Sequence, residues 1–392
     1  MAKKLSSVLG IDIGSHSVKV AEVRMQGGRP VVTALGMART PEGSVDHVGI
    51  NDLEGTANSI REAINNAGAS VGDAVVAVAG QGSVLVRTLE VPVMNEGELK
   101  GHMEWEITRN IPFAESTVVS DFKAFPADSP QAQNMDVVMA IATQSSVDGL
   151  IAILKKAGRK PAAIDVEPLG LARALAANYD GSFAGRNVCV VEVGHKTTSI
   201  NIYRDGRLLM PRQVPIGGEL FTRSIADATG MSMSDAEFAK SNQVELPDSA
   251  VVAQAPSFGA APVVSYNPFA DSPGDVPAPS VTEAMPAQPS SGLNPQAQQM
   301  YDALSPALEE FVGEVRRSID YFRGKGGDVD TVLIAGGGSR LKNLEVFLRS
   351  ALAMPVERLD PTKTVSAQTK RGDYGDPAEY AVAIGTALHI AY

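Results

Sequence analysis

Asp12 closes the apolar run VLGIDIG, and Gly14, Ser15, His16 and Ser17 follow before Lys19. A carboxylate at the end of a buried strand is costly unless it meets a cation or a donor. A tight turn of glycine and hydroxyl residues exposes backbone N–H groups that can wrap a phosphate tail. Lys19, opening the next strand, can reach back to neutralise it. Asp12 would then hold a hydrated Mg2+, which takes carboxylate, water and phosphate oxygens. The same residues also suit a plain hairpin with a satisfied aspartate, and this stretch alone leaves both readings open.

The stretch VEVGHKTTSINIYRDG repeats the pattern. Glu192 stands where Asp12 does, Gly194 follows two residues on, and Thr197 and Thr198 supply hydroxyls. Two such turns facing each other would clamp a polyphosphate between domains. A third turn, in TVLIAGGGSRLKNLEVFLRSAL, runs from strand through Gly336, Gly337 and Gly338 into a helix. Glycines there let the backbone approach a ligand closely, although such turns also serve packing alone. This turn lacks the lysine and hydroxyl of a Walker loop, and the opening turn lacks Gly-x-Gly-x-x-Gly, so both of those nucleotide folds are disfavoured. Upstream, EEFVGEVRRSIDYF is expected to be a helix with Glu314, Arg317, Ser318 and Tyr321 on one face. That face is either solvated or one wall of an adenosine pocket.

The elements that would hold these turns alternate between strand and helix signals, which predicts an α/β fold. VLGIDIG and VKVAEVRMQGGRPVVTALGMART read as three short strands, and the stretch from Asn187 repeats their order, which suggests an internal duplication. DLEGTANSIREAINNAG reads as an amphipathic helix ended by glycine. Between the copies, residues 94–159 read as a separate unit: Leu99, Met103, Ile107 and Ile111 put one apolar stripe on a helix that stops before Pro112. That stripe reads as core packing. A strand pair and the helix VDGLIAILKKAG complete this unit. Residues 245–298 differ in kind: there is no lysine or arginine between Lys240 and Arg316, and ten of the 24 prolines lie from Pro247 to Pro295. Such a stretch buries too little apolar area to offset its ordering entropy, so a disordered surface insertion is expected.

The chain of 392 residues has room for two sizeable cores. A net charge of −11 argues against a basic stripe for nucleic acid. It equally argues against purely electrostatic attachment to acidic lipid. The single cysteine, Cys189, lies in an apolar strand and reads as inert core, and no disulfide or multi-cysteine zinc site is possible. The five histidines show no metal-ligand pair. No apolar run is long enough to span a membrane and no signal peptide is expected, so the chain reads as cytoplasmic.

In combination these stretches resemble the actin-like ATPase superfamily, and within it the PilM family of type IV pilus assembly. GIDIGSHSVKV is similar to the phosphate-1 motif, DVEPLGLARAL to the first connecting motif, VEVGHKTTSINI to phosphate-2, LIAGGGSRLKNL to the adenosine motif and AVAIGTAL to the second connecting motif. The PilM likeness rests on ELKGHMEWEITRNIPF, DVEPLGLARAL, PIGG and GEVRRSIDYF. The resemblance implies an actin-like two-lobed, duplicated ribonuclease H-like fold with a small inserted α/β subdomain. Lobe I would comprise residues 1–93, 160–185 and 370–392, the FtsA-like insertion 94–159, and lobe II 186–369.

It further implies ATP and Mg2+ between the lobes. Gly14, Ser15, His16, Ser17 and Lys19 would bind the phosphate tail opposite Gly194 and Thr197, with Asp12 and Glu192 at the metal. Gly217 and Gly218 would lie near the nucleotide, and Gly336 to Gly338 beside the nucleoside. Glu314, Arg317 and Ser318 match adenosine-facing positions of DnaK-type chaperones. Glu167 would orient an attacking water. Glu192 replaces the usual phosphate-2 aspartate and His195 the following small residue; both crowd the γ-phosphate, so ATP binding is expected with weak or absent hydrolysis. His195 reads as a steric or hydrogen-bonding neighbour.

The implied function is a scaffold of the inner-membrane pilus platform, supporting pilus biogenesis and twitching motility. It would bind the N-terminal cytoplasmic tail of PilN beside the inserted subdomain, link it to the motor ATPases and reach the membrane only through partners. Self-association is compatible with this scheme. An FtsA-like division protein is the first alternative, although no amphipathic tail follows AIGTALHIAY. A small-molecule kinase of the same superfamily is the second, and it would need an aspartate base that the sequence does not offer.

Overall fold

The computed structural model describes residues 5–46, 48–78, 82–113, 116–127, 129, 131–179, 181–249, 295–369, 371–372 and 374–391. The chain opens with β1 (Ser7–Ile13), β2 (Ser17–Gln26) and β3 (Arg29–Arg39), a meander that runs into α1 (Leu53–Ala67) and β4 (Asp73–Val78). Asp52 caps α1 by accepting from the N–H groups of Glu54 and Gly55, and Gly68 ends it in the left-handed region at φ 66°. Next come β5 (Val84–Pro92), α2 (Glu96–Asn110), β6 (Val118–Ala124), β7 (Asn134–Thr143), α3 (Gln144–Lys156), β8 (Lys160–Val166) and α4 (Glu167–Tyr179). The second meander is β9 (Asn187–Val193), β10 (Thr198–Arg204) and β11 (Arg207–Val214), followed by α5 (Gly218–Thr229) and α6 (Met233–Asn242). The described chain closes with α7 (Pro295–Gly324), β12 (Thr331–Ala335), α8 (Leu344–Leu352), β13 (Val356–Arg358), β14 (Ser366–Ala367) and α9 (Ala381–Ala387).

Two sheets have the orders β14-β3-β2-β1-β4-β8 and β11-β10-β9-β12-β13. Without β14 they are the same sheet twice: an antiparallel meander whose first strand pairs in parallel with a later one. This is the duplicated ribonuclease H-like arrangement of the actin-like two-lobed fold, and the expected duplication is present. Alternate residues explain why both central strands are apolar throughout. In β1, Leu9, Ile11 and Ile13 join the core under α1 and α3, while Val8 joins the one under α9. In β9, Cys189, Val191 and Val193 face the α5 and α7 side, while Val188 and Val190 face α4. Burial pushes the Cys189 thiol up to about 12, as suits an inert core residue.

A third sheet, β5-β7-β6, carries α2 over Val91, Val137, Met139 and Ile141. Leu99 and Met103 are buried beneath α2, Ile107 is partly so, and Ile111 lies past its end with 37% exposure. The sheet takes in β5, which precedes Met94, and α3 packs instead on the lobe I core through Leu150, Ile153 and Leu154. Likewise β14 pairs with β3 of the first sheet. Most of the proline-rich stretch, 250–294, lies outside the described residues. Its edges differ from the expectation of disorder: Leu246 is fully buried and its N–H donates to the Lys342 carbonyl, and α7 already begins at Pro295. Among the described residues no helix is long and apolar enough to cross a membrane.

Candidate functional site

The two meanders bring their first turns face to face across a cleft of about 700 Å³. In each turn a glycine N–H donates to the carbonyl three residues on, Gly14 to Ser17 at 3.2 Å and Gly194 to Thr197 at 3.0 Å. A Cβ on Gly14 or Gly194 would lie 2.9 or 2.7 Å from those carbonyl oxygens, so only glycine closes the turn without displacing it. Each turn is then pinned from behind. Thr40 donates its hydroxyl to the Gly14 carbonyl and its N–H to that of His16. Gly218 and Glu219 donate N–H groups to the carbonyls of Gly194 and His195. Those carbonyls are thereby satisfied within the protein.

Strand register sets the charges. Asp12 pairs with Lys19 across β1 and β2, and the Lys19 Nζ lies 3.2 Å from the Asp12 Oδ2. In the second copy Glu192 pairs with Ser199, and Ser199 bonds Glu167 at the start of α4. Lys19 is only 8% exposed. Burial works to lower its pKa, but the carboxylates of Asp12, Glu192 and Glu379 outweigh it and hold the ammonium charged. Burial, reinforced by Asp12 and, for Glu192, by the neighbouring Glu167, pushes the carboxyls of Glu167 and Glu192 well above the usual range against the pull of Lys19. One oxygen of Glu167 is buried with no hydrogen-bond partner among the described residues.

Asp12, Gly14, Ser15, His16, Ser17, Lys19, Glu167, Glu192, Gly194, Thr197, Gly218, Gly337 and Gly338 all line the cleft. Gly217 and Gly336 sit one step behind it. A Cβ on Gly217 would meet the His195 carbonyl oxygen at 2.5 Å, and one on Gly336 would meet Glu192 Oε1 at 2.4 Å. Gly336 has φ 81°, so glycine there serves both the backbone and the seating of Glu192. The triple glycine leads into a 3-10 turn, and α8 starts only at Leu344. Glu314, Arg317 and Ser318 lie outside the cleft lining. Arg212 of β11 donates to both Glu314 and Ser318, Arg317 pairs with Glu314, and Ser318 is fully buried. The α7 face is therefore split between core and surface.

The structure adds residues that the sequence reading missed. Lys240 and Glu237 of α6 enter the cleft as a bonded pair, with Lys240 also donating to the Gly218 carbonyl and the Thr222 hydroxyl. Arg340 reaches Glu379 at 3.1 Å, joining the triple-glycine turn to the turn before α9. The cleft also has an apolar arm lined by Val45, Val48, Ile50, Leu53 and Leu150. It lies where the inserted subdomain joins lobe I, beside Ser83 ahead of β5 and Ser145 after β7. Among the described residues no three His, Cys, Asp or Glu side chains are arranged to hold a metal. Asp12 and Glu192 fit a metal that draws its other ligands from water and phosphate.

Residues 10–253 match the family described as Type IV pilus assembly protein PilM, and residues 189–385 match the family described as Cell division protein FtsA. The chain is 24% identical over 261 residues to Cell division protein FtsA of Escherichia coli (strain K12), and the match takes in 59% of each protein. It is 25% identical over 256 residues to that of Bacillus subtilis (strain 168), covering 59% of this chain and 57% of the relative. The chain thus spans under two thirds of the length of these relatives. A chain of the PilM-PilN type IV pilus biogenesis complex is 25% identical and superimposes over 99% of each chain with a TM-score of 0.77. The ethanolamine utilization protein EutJ from Carboxydothermus hydrogenoformans is 14% identical over 97% of this chain and 89% of its own, with a TM-score of 0.52, and shares the fold alone.

Proposed function

The chain belongs to the PilM family of type IV pilus assembly proteins, and from that premise we propose that it is an ATP-binding scaffold of the pilus inner-membrane platform. The observation that carries this reading is the pair of matched glycine turns facing each other around buried Lys19. The phosphate tail lies between Gly14–Ser17 and Gly194–Thr197, with Lys19 neutralising it. Asp12 and Glu192 hold Mg2+, which supplies charge neutralisation and orientation for the phosphates. The bonded pair Glu237 and Lys240 offers an acceptor and a donor to the ribose side, while Gly337 and Gly338 leave room for the nucleoside. Glu167 is the group placed to orient a water. Nucleotide acts as a structural ligand, because a ligand that binds the closed lobes better shifts their equilibrium without turnover.

The partner is the N-terminal cytoplasmic tail of PilN, carried in the apolar arm at the root of the inserted subdomain. An extended peptide docks in a preformed groove by setting a few apolar side chains into pockets. Val48 and Leu53 are 51% and 36% exposed there and supply such contacts. In this reading the scaffold links the partner to the motor ATPases, and its attachment to the membrane is through the partner. The kinase alternative needs a free carboxylate base in this arm, whereas Asp46 accepts from the N–H groups of Val48 and Gly49 and from Asn51.

Fluorescence anisotropy with a labelled PilN-tail peptide tests the arm. Val48→Asp is expected to lower peptide affinity by roughly tenfold or more, since an apolar contact becomes a desolvated charge. Val93→Asp, 50% exposed on the insertion and outside the cleft, leaves it unchanged. Equal affinity for Val48→Asp and the parent chain would place the peptide elsewhere.

A further inference from the structure

His16 and His195 come from different lobes, yet their rings touch across the cleft with centroids 4.7 Å apart. Each stands inside one of the two phosphate turns. Arg39, at the end of β3, lies with Nη1 2.6 Å from the His16 Nε2. A guanidinium has donors only, so that imidazole nitrogen accepts, and His16 is neutral with its proton on Nδ1. Arg39, outside the cleft lining but bonded to a ring within it, is therefore spending a hydrogen bond on a neutral imidazole.

The surroundings explain this state and how it reverses. His16 faces Arg39 from β3, His195 from the opposite turn, and Glu237 and Lys240 from α6. His195 faces Lys240 and Glu237 from α6, Lys196 from its own turn, and Arg39. Burial first, and then this excess of cations over the single carboxylate, pulls both imidazoles down to about 4. A polyphosphate passing between the turns inverts that balance, because several negative charges then lie within reach of both rings.

We propose that His16, His195 and Arg39 form a latch on the phosphate tail that closes by taking up a proton from solvent. Arg39 leaves the His16 ring for a phosphate oxygen, the freed Nε2 is protonated, and the imidazolium donates to the phosphate, with His195 completing the contact from lobe II. The two lobes are thereby held together through a ligand instead of by a ring contact. This deepens the nucleotide reading and rests on it.

Titration calorimetry of the full chain with Mg2+-ATP, in two buffers of different ionisation heat, reads the proton directly. The parent chain is expected to take up about one proton more per nucleotide than His16→Asn with His195→Asn, because any proton exchanged by the raised carboxyls of Glu167 and Glu192 or by the nucleotide is common to both chains. Its affinity relative to that variant is expected to rise by up to roughly tenfold per pH unit as pH falls from about 8 towards 6. AMP, which lacks the bridging tail, shows no such difference between the two chains. Equal proton uptake by the two chains, or the same pH slope in both, overturns the latch and leaves nucleotide binding standing. Absence of Mg2+-ATP binding by the parent chain at every pH overturns both.

Discussion

Lys19→Met is expected to abolish detectable Mg2+-ATP binding and to destabilise the chain by about 3–5 kcal/mol, the range for removing one partner of a buried charge pair. The size follows from what surrounds the ammonium. Asp12 lies 3.2 Å away, and Glu192, Glu379 and Glu167 all feel its charge. Methionine keeps an unbranched apolar stem as far as the ε position and loses the ammonium, so packing is a small part of the loss. The pH dependence has a definite sign. Glu167 and Glu192 already have raised carboxyl pKa values in the fold, and without Lys19 they rise further. A carboxyl raised in the folded state favours folding when protonated and loses that contribution as pH climbs through its folded pKa. The deficit of the variant is therefore smaller near pH 5 than near pH 8 in urea unfolding. Equal deficits at both values, with nucleotide binding retained, would contradict this picture of the charge cluster.

Gly385→Ala carries the second large effect. An added Cβ would lie 2.0 Å from the Gly170 carbonyl oxygen, 2.5 Å from its carbonyl carbon and 3.2 Å from the Ala174 Cβ. These are mostly backbone atoms, so α9 and α4 must move apart. The crossing is also tied by Arg173, which donates from Nε to the Gly385 carbonyl at 3.0 Å and pairs with Asp165. Overpacking of this kind costs about 3 kcal/mol. The displacement reaches the cleft, since Glu167 begins α4 and Glu379 stands just before α9. Thermal unfolding is expected to show a lowered Tm together with weaker Mg2+-ATP binding. Gly101→Ala, in open space on α2, is the control and should gain roughly 0.5–1 kcal/mol from its helical setting. A Tm unchanged by Gly385→Ala would mean that the two helices do not cross as closely as described.

Much of this site could be read along the chain because its determinants are local. Apolar alternation broken by glycine marks both meanders, and a spacing of seven between Asp12 and Lys19 is the register of a tight hairpin, so one pair of residues encodes an ion pair. The copy at Glu192 needed only the same pattern a second time. What escaped depends on contacts between distant segments. Nothing in the sequence around Glu237 and Lys240 marks them as cleft residues, because α6 is short and its polar face looks solvated until α5 and the second turn pack on it. Glu379 gains its setting only when Arg340 arrives from the other lobe. Local spacing is also silent on burial: Glu314, Arg317 and Ser318 share helical spacing, and it is Arg212 from β11 that bonds Glu314 and Ser318. In the same way α3 follows the inserted strands in sequence but sides with lobe I, since its buried residues match that core.

The central claim is that the facing turns hold a nucleotide and that the scaffold responds to it. Titration calorimetry with Mg2+-ATP, followed by the PilN-tail peptide in its presence and absence, tests this most directly. The account predicts saturable nucleotide binding at one site per chain and a peptide affinity that differs between the two states. Peptide binding with no nucleotide heat at any temperature would contradict it, and would make GIDIGSHSVKV a hairpin that holds no phosphate.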